Sequence, residues 1–268
     1  MSSRLTRAAI VLVTTAAVAA CSTNTATSPT TAAPTTPSAT TSTALSGSIT
    51  VFAASSLKEV FGKIANQFEA ANPGTKVTFS FAASSALAAQ ITSGAPADVF
   101  AAASAATMDL VVAAGLAQGP IDFAKNTMEI AVPPRNPAAV FALVDLTKSG
   151  MKLAICQPLV PCGSTTLKVF KNANLKLTPA TLEPDVKSVL NKVEMGEADA
   201  GIVYVTDVRA AGTKVLGVTI PAADNATTKY PIVALSKGSN SALAQAFVAY
   251  VLSADGLAAL AAAGFARP

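Results

Sequence analysis

Histidine is missing from all 268 residues. That absence removes the Ser-His-Asp triad, the Cys-His dyad, histidine-ligated zinc and imidazole acid–base chemistry. Tryptophan is missing too and only 5% of residues are aromatic, so few rings are available to stack on bases or sugars. Charge is scarce at 13%, with 19 Lys and Arg against 15 Asp and Glu, and no basic run gathers the net +4 into a patch. No nucleic-acid partner is expected. The glycine fingerprints of phosphate loops and dinucleotide sites are also lacking. What the chain does have is 51% hydrophobic residues, mostly Ala, Val, Ile and Leu, enough to core one large domain or two small ones.

Arg4 and Arg7 precede an uncharged apolar stretch at 8–20, which is 13 residues long. That length suits the core of an export signal and is too short to span a hydrocarbon layer of about 30 Å. Residues 18–21 (VAAC) resemble a bacterial lipobox, in which Cys21 is lipidated and becomes the mature N-terminus; the alternative is an ordinary leader with a chance Cys. Residues 22–46 hold ten Thr, five Ser, five Ala and three Pro without a charge or a ring, so they read as a tether that builds no core. The expected division is therefore signal peptide 1–20, lipidated Cys and tether 21–46, and a globular part from Gly47. Export bears on Cys156 and Cys162, which flank a Pro-rich turn. A disulfide closing that loop is expected, with two unreactive thiols as the alternative. No metal site is expected.

From Gly47 strand and helix patterns alternate. Residues 48–52 read as a strand ending in Ala53, Ala54, Ser55 and Ser56. Leu57, Val60, Phe61, Ile64, Ala65 and Phe68 then recur at helical spacing, starting a helix at Ser55 or Ser56. Residues 76–81 make a second strand, followed by Ala82, Ala83, Ser84 and Ser85 and another helix through Leu87 and Ile91. The repeated unit has two readings. Either the serines are ordinary helix caps, or neutral hydroxyls and helix N-termini converge on an anion at the carboxyl end of a parallel sheet. Further on, strands are expected at 98–101, 127–132, 151–156, 200–205 and 230–235. Helices are expected at 105–114, 164–171, 185–195 and from 206, with two Ala-rich helices to finish. This alternation points to layered α/β architecture.

Ser55 and Lys58 fit the Ser-x-x-Lys spacing of penicillin-recognising enzymes, and residues 148–150 (KSG) could imitate their second Lys motif. No Ser-x-Asn element accompanies them, and the helical pattern puts Lys58 on the wet face. Asp98, Asp109, Asp145, Glu183, Asp185, Asp199 and Asp207 are scattered, and nothing fixes two of them across a scissile bond. Asp199 and Asp207 read as turn and capping residues. No catalytic residues are assigned.

Five separated blocks, 51–57 (VFAASSL), 79–87 (FSFAASSAL), 94–100 (GAPADVF), 160–163 (VPCG) and 201–207 (GIVYVTD), together resemble the periplasmic molybdate-binding proteins of ABC transporters. The lipoprotein members from actinobacteria are the most similar, including the Cys156 and Cys162 pair. The resemblance implies two α/β lobes of the class II periplasmic binding protein fold, with a mixed sheet in each and the ligand cleft between them. Lobe one would be 47–124 plus 232–268 and lobe two 125–231. It also implies that Ser56, Ser84 and Tyr204 give hydroxyls, that Cys162 and Val186 give backbone N–H groups, and that Ser55 adds a hydroxyl or merely caps. Core packing is the plainer role for Val186 and Tyr204, and disulfide bonding for Cys162. The implied protein is a monomer on a lipid anchor that passes molybdate or tungstate to a membrane permease, with no cofactor. Sulfate or another tetrahedral oxyanion is the alternative ligand. An exported structural or adhesive lipoprotein is the alternative from another class.

Overall fold

A computed structural model of the chain describes residues 45–176 and 178–268. The signal peptide, the lipidation site Cys21 and tether residues up to 44 lie outside the described residues. Among the described residues no single helix is long and apolar enough to cross a membrane.

The elements follow the alternation of the sequence. In the first half, β1 (Gly47–Ala54), α1 (Lys58–Ala71), β2 (Thr75–Ala82), α2 (Ser84–Thr92), β3 (Val99–Ala101) and α3 (Ala105–Ala113) lead into the long strand β4 (Ile121–Val132). Next come β5 (Leu153–Cys156), α4 (Pro161–Asn172), β6 (Thr181–Glu183), α5 (Val186–Glu194), β7 (Ala200–Tyr204), α6 (Val205–Ala211) and β8 (Leu216–Thr219). The chain finishes with β9 (Thr227–Ala234), α7 (Ser241–Val251) and α8 (Ala254–Ala262). Strand order is β2-β1-β3-β9-β4-β7-β5-β6, with β8 also on β4. The β1–β2, β1–β3, β5–β6 and β5–β7 pairs are parallel, and β9 lies antiparallel to both β3 and β4.

Period-two alternation builds the first half. Val51, Ala53, Val99, Ala101 and Ile232 face one core with Phe61, Phe68 and Phe247 of α1 and α7, while Phe52, Phe100 and Val233 face another with Leu87, Ile91, Met108 and Val111 of α2 and α3. A separate core gathers Met128, Ile130, Ile155 and Ile202 with Val169, Val189 and Val193 of α4 and α5. Ala83 from the first half packs into that second core.

Two strands join the halves. Along β4, Phe123 and Ala124 belong to the first core and Met128 and Ile130 to the second. The return passes between Ala226 of the second core and Tyr230 of the first. The two strands pair antiparallel from Ile121 with Ile232 to Thr127 with Thr227. β4 begins earlier than its apolar run because Asp122, Lys125 and Asn126 interrupt the pattern; pairing with β9 supplies the missing support, including a 2.9 Å ion pair from Lys229 to Asp122. Strands β6 and β8 were not expected, being short and carrying half-exposed Leu182 and Leu216.

Candidate functional site

One cavity between the two halves is lined by Ser55, Ser56, Ser84, Cys162, Val186 and Tyr204, together with Ala54, Ala82, Ala83, Ala103, Pro161 and Asp185. All six residues singled out in the sequence therefore meet in one place. The room is small. Neither Lys58 nor Lys148 lines it; Lys58 is exposed, and Lys148 pairs with Asp145 at 3.1 Å. The Ser-x-x-Lys spacing thus builds no nucleophile and base pair here.

The serines are not caps. The cap positions are Ala54, ahead of a short 3-10 turn Ser55–Leu57, and Ala83, ahead of α2, and neither alanine has a capping side chain. In α2 the backbone ladder opens only at Leu87 N–H to the Ala83 carbonyl, 3.0 Å. The earlier N–H groups have no intrahelical acceptor. Helix α4 starts similarly on Val160, with Pro161 in the first position, where a missing N–H costs nothing. Its ladder opens at Ser164 N–H to the Val160 carbonyl, 2.9 Å, which leaves the Cys162 N–H over. In α5 the Asp185 carboxylate caps Lys187 N–H at 2.8 Å and Ser188 N–H at 3.2 Å, and the N–H of Val186 is the one it does not take. The side chains of Cys162, Val186 and Tyr204 meanwhile pack in the second core. For Cys162 and Val186 core and cavity roles coexist because side chain and backbone N–H point different ways; Tyr204 packs its ring in the core and brings its hydroxyl to the lining.

Cys156 and Cys162 are joined by a disulfide, Cα to Cα 5.8 Å, closing the loop that presents the Cys162 N–H. Gly163 is the tight point of that loop: a Cβ there would overlap the Gln157 carbonyl oxygen.

The hydroxyls differ in their partners. Ser84 Oγ accepts the Ala103 N–H at 2.9 Å, so its own proton is free for another acceptor. Ser56 Oγ lies 2.9 Å from the Tyr230 hydroxyl. Tyr204 is 1% exposed, and among the described residues its hydroxyl has no hydrogen-bond partner. Burial, then the neighbouring Tyr230 and Asp207, hold the Tyr204 hydroxyl protonated well above the usual tyrosine range. Burial does the same for Tyr230. Asp185 is the only charged residue on the lining, and its oxygens are engaged by the α5 cap and by Ser188 Oγ at 3.2 Å. Donors without a cation suit a compact anion, and burial strengthens each charge-assisted bond.

Residues 49–266 match the family of bacterial extracellular solute-binding proteins. The chain belongs to that family. Its sequence is 48% identical over 222 residues to the molybdate-binding protein ModA of Mycobacterium tuberculosis, covering 82% of this chain and 85% of the relative. The fold is shared with the periplasmic molybdate-binding protein of Azotobacter vinelandii, at TM-score 0.72 and 21% identity over 82% of this chain and 99% of that one. It is shared equally with the sulfate-binding protein SubI of Mycobacterium tuberculosis, at TM-score 0.71 and 19% identity over 82% and 86% of the two chains. At those identities the two structures establish architecture, the α/β periplasmic binding protein fold, and leave the anion to the site.

Around this cavity lies a layer the sequence did not disclose. Lys187 of α5 bridges Asp207 Oδ1 of α6 at 2.9 Å and Glu59 Oε2 of α1 at 2.8 Å, so it ties the two halves together beside the cavity. Burial works against the Lys187 charge, yet the two carboxylates outweigh it and hold the ammonium above its ordinary range. Asp207, expected only as a capping residue, does accept the Tyr204 N–H at 3.2 Å but is also fully buried against this lysine. Asp199, expected in the same role, holds the Lys152 N–H at 2.8 Å where β5 begins. Asn126 of β4 donates to Thr206 Oγ1 at 2.8 Å and faces the Tyr230 hydroxyl at 3.5 Å.

Proposed function

We propose that this protein captures molybdate outside the cytoplasm and delivers it to the membrane permease of an ABC importer. The observation that carries the reading is a buried, cation-free cavity whose free groups all donate: Ser56, Ser84 and Tyr204 hydroxyls and the Cys162 and Val186 N–H groups. Ser55 stands beside them as a further hydroxyl. Fully deprotonated tetrahedral dianions suit such a set, whereas hydrogen phosphate brings a proton whose burial without an acceptor is costly. The 48% identity to a molybdate-binding relative supports molybdate over sulfate. Tungstate offers the same shape and charge to these donors and is bound alongside it.

In this reading lobe one is 47–124 plus 232–268, lobe two is 125–231, and the lobes close by bending the β4–β9 ribbon. The protein works as a monomer without catalytic activity, lipid-anchored through Cys21 on the outer face of the membrane after removal of 1–20. Calorimetric titration of the purified chain with molybdate, tungstate, sulfate and phosphate tests the assignment. Tightest binding of molybdate and tungstate is expected; sulfate binding as tight or tighter would overturn it.

Two substitutions separate ligation from structure. Ser84→Ala and Tyr204→Phe each remove one donor to a buried ion, about 1.5–3 kcal/mol or roughly tenfold to 150-fold in affinity. Ser84→Ala also strands the buried Ala103 N–H, so the unliganded protein is expected to lose about 1–3 kcal/mol of stability. Tyr204→Phe strands nothing, because that hydroxyl has no partner among the described residues, and should leave the unfolding midpoint unchanged or higher. Thermal unfolding beside titration reads both.

A further inference from the structure

We propose that Asn126 and Tyr230 fix the direction of the Ser56 hydroxyl, so that Ser56 gives its proton to the anion and the site discriminates against oxyanions that carry a proton. The inference rests on the oxyanion reading above and names what sets its selectivity. Tyr230 is fully buried, on the strand that returns to the first half, and its hydroxyl has one proton to place. Its hydrogen-bond partners among the described residues are Ser56 Oγ at 2.9 Å and Asn126 Nδ2 at 3.5 Å. An amide nitrogen only donates. Asn126 cannot turn its oxygen round instead, because Oδ1 accepts the Thr127 N–H at 3.1 Å while Nδ2 donates to Thr206 Oγ1 at 2.8 Å. The neighbouring Tyr204 hydroxyl makes no hydrogen bond among the described residues, so the Tyr230 proton is left with Ser56 Oγ as its acceptor.

Ser56 Oγ therefore receives a proton from behind, and its own proton points to the cavity that it lines. Without that constraint a serine hydroxyl is ambivalent: it can turn its proton away and offer lone pairs to a ligand proton. The chain from Asn126 through Tyr230 to Ser56 removes that freedom, as the Ala103 N–H does for Ser84. A hydrogen phosphate then loses Ser56 as an acceptor for its proton, whereas molybdate and sulfate have no proton to place. Tyr230 and Asn126 are positioning residues. Both sit on the β4–β9 ribbon, and neither is among the residues lining the cavity.

The test titrates the full chain and its Tyr230→Phe variant with molybdate, sulfate and phosphate at a pH where phosphate carries one proton. Phe keeps the ring and removes only the hydroxyl. Expected is a loss of about tenfold for molybdate, with phosphate affinity rising, so that the ratio between them narrows by more than tenfold. In a Ser56→Ala background the same change should add nothing, because its effect runs through Ser56. Equal losses for both ions, or full additivity with Ser56→Ala, would overturn the proposal, since a merely structural tyrosine behaves that way. A parent protein that prefers sulfate overturns the molybdate assignment instead, and the ratio is then judged with sulfate as the proton-free ion. A parent that binds none of the three overturns both.

Discussion

Replacing Lys187 with Met is expected to destabilise the protein by about 3–5 kcal/mol, because it leaves the fully buried Asp207 carboxylate without its cation. The loss should depend on pH in a defined direction. Burial raises the Asp207 pKa and Lys187 pulls it only partly back, so the folded-state pKa already lies above the unfolded one and rises further without the lysine. Stability is then fullest below the unfolded pKa and falls as pH rises through the raised value. Chemical unfolding of the Lys187→Met variant at a series of pH values checks this: the deficit against the parent is largest at neutral pH and shrinks on acidification. A second substitution, Asp207→Asn, should recover most of the loss at neutral pH by removing the stranded charge. Glu59→Gln leaves the Asp207 pair intact and removes only the half-exposed arm, a contact worth about 0–1 kcal/mol that fades with added salt. A uniform, pH-independent deficit would show that packing, not charge, is what Lys187 provides.

Gly163→Ala is expected to lower molybdate affinity by roughly fivefold to 150-fold, since forced overpacking costs about 1–3 kcal/mol and here the displaced atoms are the binding loop itself. The added methyl would overlap the Gln157 carbonyl and crowd the Cys156 carbonyl, all within the loop closed by the disulfide. That loop cannot swing aside freely, so the strain falls on the first turn of α4, where the Cys162 N–H faces the cavity. Calorimetry against molybdate reads the loss, and an affinity within threefold of the parent, well inside the roughly tenfold that 1.4 kcal/mol makes, would show that the loop absorbs the methyl elsewhere.

Much of this was legible in the sequence because local signals and the fold agree. The strand pattern at 48–52 and the three- and four-residue spacing from Leu57 to Phe68 placed β1 and α1, and α1 buries the face its spacing marks. The Ala-Ala-Ser-Ser repeat located two helix starts, and of the two readings left open for the serines the capping one fails, since alanines hold the cap positions. That placement has a physical meaning: alanine at the cap leaves first-turn N–H groups uncommitted. The residues that escaped notice act across long separations. Tyr230 meets Ser56, Asn126 meets Thr206, and Lys187 meets Glu59, each partner lying in a different stretch of the chain. Nothing in a window of ten residues marks a tyrosine as the partner of a distant serine. The crossing strands were equally hard to see, because β4 carries polar residues where it changes from one core to the other.

The position of β9 also dictates an order of assembly. It lies between β3 and β4, so the sheet of the first half has no continuous path to that of the second until Thr227–Ala234 is in place. Asp98, just ahead of β3, waits on the same late segment: its carboxylate holds the Thr50 N–H at 2.7 Å and the Ser239 hydroxyl at 2.9 Å. A chain emerging N-terminus first can pair β1 with β2 early, but it must hold β3 unpartnered on one side while the whole second half is made. Such distant pairings close slowly and expose strand edges in the meantime. The second half, whose strands β5, β6 and β7 pair among themselves and with β4, has no such wait. The half that appears last in the chain can therefore be the first to finish, with the other completed around its own returning C-terminus.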